Sequence, residues 1–151
     1  SGTDEGAENV KCAQEAFMKA LSYVDRVDMS MQIWAGFLFY NLARTYARQS
    51  DPERADQYFK KAIRIRERWL KTSTFNVTIR NALSYEYFLA RVAHLEMCEQ
   101  FVLLTPERVQ REFEKLETEL NTYSDFGDHA DPLTAIRKTL MERKRMEYQS
   151  I

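Results

Sequence analysis

All three prolines of this 151-residue chain, Pro52, Pro106 and Pro132, directly follow an Asp or a Thr. A side-chain oxygen at such a position accepts hydrogen bonds from the exposed backbone N–H groups of a helix start, and proline is tolerated in that first turn. Because the chain contains only 4 Gly, few residues elsewhere oppose helix formation. We therefore predict an all-α fold.

Apolar residues recur at three- and four-residue steps along most of the chain, which is typical of amphipathic helices. The pattern and the breaks between its segments predict about six helices, at roughly residues 8–27, 31–49, 52–70, 75–102, 106–123 and from 131 onward. Short connections favour antiparallel neighbours. We expect a stack of antiparallel helical hairpins.

The length of the chain fits one domain with its own core. The opening SGTDEG has no large apolar residue, so we expect residues 1–7 to be a disordered tail and residues 8–151 to be a single helical domain. We interpret Ser1 and Gly2 as a cloning remnant ahead of an excised part of a longer protein.

Charge and cysteine content limit the classes of function. Lys and Arg number 22 against 23 Asp and Glu, so no overall field attracts nucleic acid or an anionic membrane. No apolar run approaches the roughly 18 residues that span a bilayer. Cys12 and Cys98 lie far apart and form no CxxC pair, which favours a reducing compartment. We expect a soluble cytoplasmic protein.

A set of small and aromatic residues follows a fixed spacing on the second and third predicted helices. Its members are Phe39, Leu42, Ala43, Tyr46, Ala55, Phe59 and Ala62. This spacing resembles the tetratricopeptide repeat, W-x2-L-G-x2-Y followed by A-x3-F-x2-A. The three alanines would let the two helices approach closely while the aromatic rings fill the space around them. We identify one repeat at residues 36–69 and two weaker echoes, at residues 13–20 and 109–116.

The resemblance implies a non-enzymatic scaffold that binds a protein or peptide partner, with no cofactor and no metal. In this family the first helix of a repeat lines a concave groove, and Asn41 occupies the position of an Asn that holds a peptide backbone. Aromatic and basic residues share that helix face or stand near the start of the fourth helix. The predicted peptide-binding groove consists of Phe37, Tyr40, Asn41, Arg44, Arg48 and Arg80.

A zinc site is the main chemical alternative. His94 and Cys98 stand four residues apart on one helix face, and the other Cys and His are Cys12 and His129. Zinc sites normally show close ligand pairs at both ends of the motif, whereas Cys12 and His129 are isolated. We interpret the pair as a packed cysteine and a hydrogen-bonded histidine, and we predict no catalytic residue.

Two basic ridges suggest nucleic acid as a further alternative: Lys60, Lys61, Arg64, Arg68 and Lys71, and Arg137, Lys138, Arg143, Lys144 and Arg145. Few aromatic residues interleave with them for base stacking, so we expect solvated or internally paired charges. A second functional hypothesis stays open, a ligand- or peptide-sensing regulatory domain of a signalling or transcription-regulatory protein. Homo-oligomerisation also stays open.

Overall fold

A computed structural model describes residues 2–24, 32–71 and 76–149, and these residues form six α-helices without a strand. The helices are α1 (Gly2–Val24), α2 (Gln32–Arg48), α3 (Pro52–Leu70), α4 (Val77–Gln100), α5 (Pro106–Leu120) and α6 (Thr134–Gln149). Each helix packs against the next along the chain, and α4 also contacts α2 and α6. The all-α stack of helical hairpins is therefore confirmed. None of the described helices is both long and apolar enough to span a membrane.

The ends of several helices differ from the predicted ones. Helix α1 begins at Gly2 rather than near residue 8, so it includes residues that the sequence assigned to a tail. Helix α6 begins at Thr134, because Pro132 lies in a turn in which Asp131 accepts from the backbone N–H of Leu133. Some predictions lie outside the described residues. They concern Ser1, the helix end at 25–27, the helix starts at 31 and 75, and Ser150 and Ile151.

Side-chain caps fix the starts of the central helices. Asp51 accepts from the Arg54 N–H at the start of α3, and Thr105 accepts from the Arg108 N–H at the start of α5. Both of these helices have proline in the first turn, as predicted. Helix α4 starts without proline, at a cap formed by Asn76. Each cap satisfies a backbone donor that has no partner within its helix.

The α2–α3 hairpin packs through its alanines. Ala43, Ala55 and Ala62 are each 0% exposed, which confirms that small residues bring the two helices together. Around them, Tyr40 meets Phe59 edge to face with ring centroids 6.1 Å apart. Tyr46 stacks on Tyr58 at 5.5 Å. The bulky rings thus fill the space that the alanines leave between the helices.

Within the part of the chain that the structure describes, the core consists of three hydrophobic clusters in succession along the stack. The α1-end cluster is Leu21, Ala35 and Leu42. The middle cluster is Ala43, Ala55, Phe59, Met97 and Cys98. The α6-end cluster is Tyr87, Phe88, Val92, Leu95, Val109, Phe113, Leu116, Leu120, Leu133, Ile136 and Leu140. Because α4 contributes to two of these clusters, it anchors both the α2–α3 hairpin and the last two helices.

Candidate functional site

Most of the predicted groove residues lie in one row along α2. Phe37, Asn41, Arg44 and Arg48 recur at three- and four-residue steps, and such residues share a helix face. Phe37 is 44% exposed, and both arginines are exposed. Trp34 extends the row by one turn and is 60% exposed. By apolar periodicity alone Trp34 would belong with the core residues of α2.

Contacts within the row orient its polar groups. The Arg44 guanidinium lies over the Tyr40 ring, 5.6 Å from the centroid, in a cation–π arrangement. Burial raises the pKa of the Tyr40 hydroxyl, although the Arg44 charge opposes this. The Asn41 amide donates to the Phe37 carbonyl oxygen at 2.8 Å. Its side-chain oxygen can still accept a hydrogen bond from a ligand.

Helix α4 stands beside the first half of this row. Phe37 and Tyr40 line a small hollow of about 20 Å³ together with Glu86 and Leu89. In the same region the Arg66 side chain of α3 passes beneath Gly36. This hollow is therefore lined by α2, α3 and α4.

Arg80 makes a different contact from the other predicted groove residues. Its guanidinium donates to the Asp125 carbonyl oxygen at 3.1 Å, and the neighbouring Asn81 donates to the Phe126 carbonyl oxygen at 3.2 Å. These bonds hold the segment before α6 against the start of α4. Arg80 precedes Glu86, which lines the hollow, by about 9 Å along the helix axis. The described contacts do not join it to α2.

The four candidate zinc ligands do not come together. Cys12 is exposed on α1, and His129 contacts the Thr78 hydroxyl at 3.3 Å. His94 and Cys98 do share a face of α4, where the Cys98 sulfur lies 3.6 Å from His94 Nε2. Cys98 is 2% exposed, and burial raises the pKa of its thiol to about 11. The predicted packed cysteine and hydrogen-bonded histidine are thus both present.

The histidine's partner is Asp56 on α3, a residue that the sequence analysis did not single out. His94 Nε2 lies 2.6 Å from Asp56 Oδ1, and Lys60 Nζ lies 2.9 Å from Asp56 Oδ2. Burial opposes ionisation of Asp56, but the bonds to His94 and Lys60 outweigh it, and the pKa of the carboxyl is lowered. Asp56 directly follows Ala55, which packs towards α2 and α4. This neighbour is the one feature of the sequence that could have indicated a position near α4 for Asp56.

This polar group lines a wide cleft between helices. The cleft has a volume of about 810 Å³ and lies between α3 and α5, with α4 beneath. Ile63, Leu95 and Leu104 supply apolar lining, and Arg64 and Arg108 supply charge. Its position depends on the packing of three helices, so the sequence analysis did not predict it.

Several residues of the two basic ridges have internal partners. Lys71 pairs with Glu67 at 3.0 Å, Lys61 lies 5.4 Å from the centroid of the Tyr58 ring, and Lys144 pairs with Glu117 at 2.7 Å. The two ion pairs agree with the predicted internally paired charges and reduce the net positive charge offered to a phosphate backbone.

Comparison with known proteins gives one positive result. The sequence model of the tetratricopeptide repeat family matches residues 38–68, which comprise most of α2 and α3. This segment is a tetratricopeptide-like repeat, and its presence supports a helical scaffold of the protein-interaction type. No curated protein and no solved structure matches the chain.

Proposed function

We propose that this chain is a non-enzymatic scaffold that binds an extended segment of a partner protein along α2. The observation that carries the proposal is the exposed row of Trp34, Phe37, Arg44 and Arg48 on the first helix of the matched repeat. Exposed aromatic residues and arginines are the side chains that most often dominate the energy of protein interfaces.

The row has two chemically different ends, which specify the class of ligand. Trp34 and Phe37 offer flat apolar surface, and Arg44 and Arg48 offer guanidinium donors that bind carboxylates in a bidentate manner. From Trp34 to Arg48 the helix extends about 21 Å, which about six residues of extended peptide cover. The proposed ligand therefore carries an apolar anchor and, about four to six residues away, one or more acidic side chains.

Asn41 has a separate role in this proposal. It lies between the aromatic and the basic ends of the row, and its amide is held by the bond to the Phe37 carbonyl oxygen. An amide fixed in this way can hydrogen-bond a peptide backbone without selecting a side chain. Arg80 is left out of the contact surface because it bonds to the Asp125 carbonyl oxygen.

The polar group of the cleft does not form a nucleophilic relay, which supports a non-enzymatic role. In such a relay the carboxylate and the nucleophile contact opposite nitrogens of the histidine, whereas Asp56 and Cys98 both contact Nε2. The Cys98 thiol is also protonated at neutral pH, since burial raises its pKa to about 11. A protonated thiol is a poor nucleophile.

A displayed random-peptide library tests the proposal. Peptides selected on the wild-type protein should share an apolar residue and an acidic residue at the predicted separation. Their affinity, measured by fluorescence anisotropy, should fall at least about tenfold, or about 1.4 kcal/mol, in the double variant Asn41→Ala, Arg44→Ala. Trp34→Ala should give a loss of similar size.

Two exposed residues far from the row provide matched controls. Arg111→Ala on α5 and Met141→Ala on α6 remove one guanidinium and one apolar side chain, and binding should change less than about twofold, because neither side chain lies on α2. Equal losses in the controls and the test variants would contradict the proposed surface. So would a library that yields no enriched peptide.

The second functional hypothesis, a ligand-sensing domain, is favoured by the cleft. Its volume of about 810 Å³ lies within the range of small-molecule sites. A ligand of the cleft should raise the melting temperature of the Asn41→Ala, Arg44→Ala double variant as much as that of the wild type. A peptide of the α2 row should raise the melting temperature of the wild type more than that of the double variant.

A further inference from the structure

Three potential metal ligands converge in the cleft. His94 Nε2 lies 2.6 Å from Asp56 Oδ1 and 3.6 Å from Cys98 Sγ, and the three atoms all lie within 4.8 Å of one another. Asp56 comes from α3, and His94 and Cys98 come from one face of α4. The acid and the thiol thus approach the same histidine nitrogen from two helices.

We propose that Asp56, His94 and Cys98 bind one Zn²⁺ ion through Oδ1, Nε2 and Sγ. Zinc binds nitrogen and oxygen ligands at about 2.0–2.2 Å and thiolate at about 2.3 Å, so tetrahedral ligands stand roughly 3.3–3.7 Å apart, and a nitrogen and a sulfur about 3.6 Å apart. The separation of 3.6 Å between His94 Nε2 and Cys98 Sγ matches this requirement. The Asp56–His94 separation of 2.6 Å must open by about 0.7 Å, which a side-chain rotation accomplishes.

The combination of ligands selects the metal. A thiolate and an imidazole suit zinc and its cobalt substitute, whereas magnesium and calcium take oxygen ligands. One carboxylate and one thiolate also offset the charge of a divalent cation, and the remaining positive charge is that of Lys60, whose side chain is 56% exposed to solvent. This compensation matters for a cysteine that is only 2% exposed, since an uncompensated charge there would be costly.

Neighbouring residues already orient two of the ligands. Lys60 Nζ lies 2.9 Å from Asp56 Oδ2, which leaves Oδ1 directed at His94. The His94 ring packs against the Phe59 ring, with centroids 5.8 Å apart. Metal ligands are commonly held in this way by hydrogen bonds and packing from residues behind them.

Binding has a defined proton balance. The Cys98 S–H bond breaks, the sulfur electron pair forms the Zn–S bond, and the proton passes to solvent. In the metal-free protein Nε2 of His94 donates to the Asp56 carboxylate, so its proton also passes to solvent. The neutral ring then carries its proton on Nδ1 and presents the Nε2 lone pair to the metal. The fourth coordination position faces the cleft, where water or a donor from a bound molecule completes the tetrahedron. This proposal does not depend on the proposed peptide surface.

Cobalt titration tests the site directly. The full chain is freed of metal with a chelator, the chelator is removed, and Co²⁺ is added under reducing conditions. We expect saturation at one equivalent, visible bands typical of tetrahedral cobalt and a thiolate-to-metal charge-transfer band, all abolished by one equivalent of Zn²⁺. Cys98→Ala, His94→Ala and the nearly isosteric Asp56→Asn should each weaken binding at least about hundredfold, since even residues behind metal ligands cost 10–100-fold.

The chain supplies its own controls, since it contains only two cysteines and two histidines. Cys12→Ala and His129→Ala should leave the spectrum and the stoichiometry unchanged. Circular dichroism without metal checks that each variant folds. If Cys98→Ala or His94→Ala does not fold, the result with Asp56→Asn decides the outcome. A charge-transfer band that persists in Cys98→Ala, or cobalt binding that Asp56→Asn leaves unchanged, would falsify the proposal. Absence of saturation at one equivalent would also overturn it.

Discussion

Arg66, whose side chain is only 4% exposed, pairs with Glu86 across the contact between α3 and α4 at 2.6 Å. Burial lowers the pKa of the Arg66 guanidinium, and the negative charge of Glu86 opposes this shift. The pair lies beneath Gly36 and beside the hollow that Phe37 and Tyr40 line. The backbone of α2 at Gly36, next to the proposed peptide surface, therefore packs on the buried guanidinium of Arg66.

Removal of Glu86 should destabilise the protein. Loss of a partner in a fully buried ion pair typically costs about 3–5 kcal/mol, but Glu86 is itself 37% exposed, so we expect about 2 kcal/mol for Glu86→Ala. Urea unfolding measures the change. The control Glu142→Ala, at an exposed position on α6, should change stability by less than about 0.5 kcal/mol. Equal effects of the two variants would show that Arg66 is stable without its partner.

Two glycines should respond to the same substitution with opposite signs. A Cβ at Gly36 would lie 2.8 Å from Arg66 Nε, whereas a Cβ at Gly6 would meet nothing within 4 Å. Alanine is favoured over glycine within a helix by about 1 kcal/mol, so Gly6→Ala should stabilise the protein by up to that amount. Gly36→Ala should destabilise it by about 1–2 kcal/mol, because the ion-paired arginine must move. Thermal unfolding of both variants decides the prediction, which a stabilised Gly36→Ala would contradict.

Val102 should be a point of backbone strain. Its φ of 54° lies in the left-handed region, which β-branched residues rarely adopt. Its side chain is 77% exposed, so glycine would remove little packing. Glycine adopts this conformation freely but loses more entropy on folding, and we expect a net gain of about 0.5–1 kcal/mol for Val102→Gly. Ser50→Gly, at φ 57°, should gain less stability than Val102→Gly. A Val102→Gly variant less stable than the wild type would contradict the assigned strain.

The two cysteines should differ in reactivity. Cys12 is exposed and Cys98 is buried, so a thiol reagent should label one site per native chain at neutral pH and two in urea, with a chelator present. The pKa of Cys98 rises on folding from an ordinary value of 9.0 to about 11. Stability should therefore fall as the pH rises through this window, because the unfolded thiol ionises first. This loss of stability with rising pH should be smaller in Cys98→Ala. In the labelling experiment, rapid reaction of two thiols in the native protein would contradict the burial of Cys98.

A larger side chain between α2 and α3 should separate the two helices. Ala43 is 0% exposed, so Ala43→Leu inserts apolar volume where no space exists and should cost about 1–3 kcal/mol. Ala135→Leu provides the control, since Ala135 is exposed on α6, and it should change stability by less than about 0.5 kcal/mol. Chemical denaturation measures the free energy of unfolding of the two variants. An Ala43→Leu protein as stable as the wild type would mean that the hairpin is loosely packed.

The sequence was most informative where structure depends on residues close together in the chain. The alanine spacing identified the α2–α3 hairpin because the two helices are joined by a short turn and must pack on each other. The caps at Asp51 and Thr105 likewise act within three residues. Such local signals need no knowledge of the rest of the fold.

The sequence was less informative where distant segments meet. The contact of Arg80 depends on a segment 45 residues away that returns to the start of α4. The role of Asp56 depends on which face of α3 meets α4, and helical periodicity alone does not resolve this. Trp34 matched the apolar period of α2 but lies largely outside the core. These placements are set by packing between helices, which single-sequence periodicity does not encode.

Among the described residues, a few side chains are shared between neighbouring hydrophobic clusters. Tyr46 and Tyr58 contact both the α1-end and the middle clusters, and Leu104 contacts both the middle and the α6-end clusters. A stack in which most contacts join neighbouring helices behaves more as a linear array than as one indivisible body. Damage at one end of the stack should therefore disturb the opposite end little, whereas a change at Tyr46, Tyr58 or Leu104 should loosen two clusters at once.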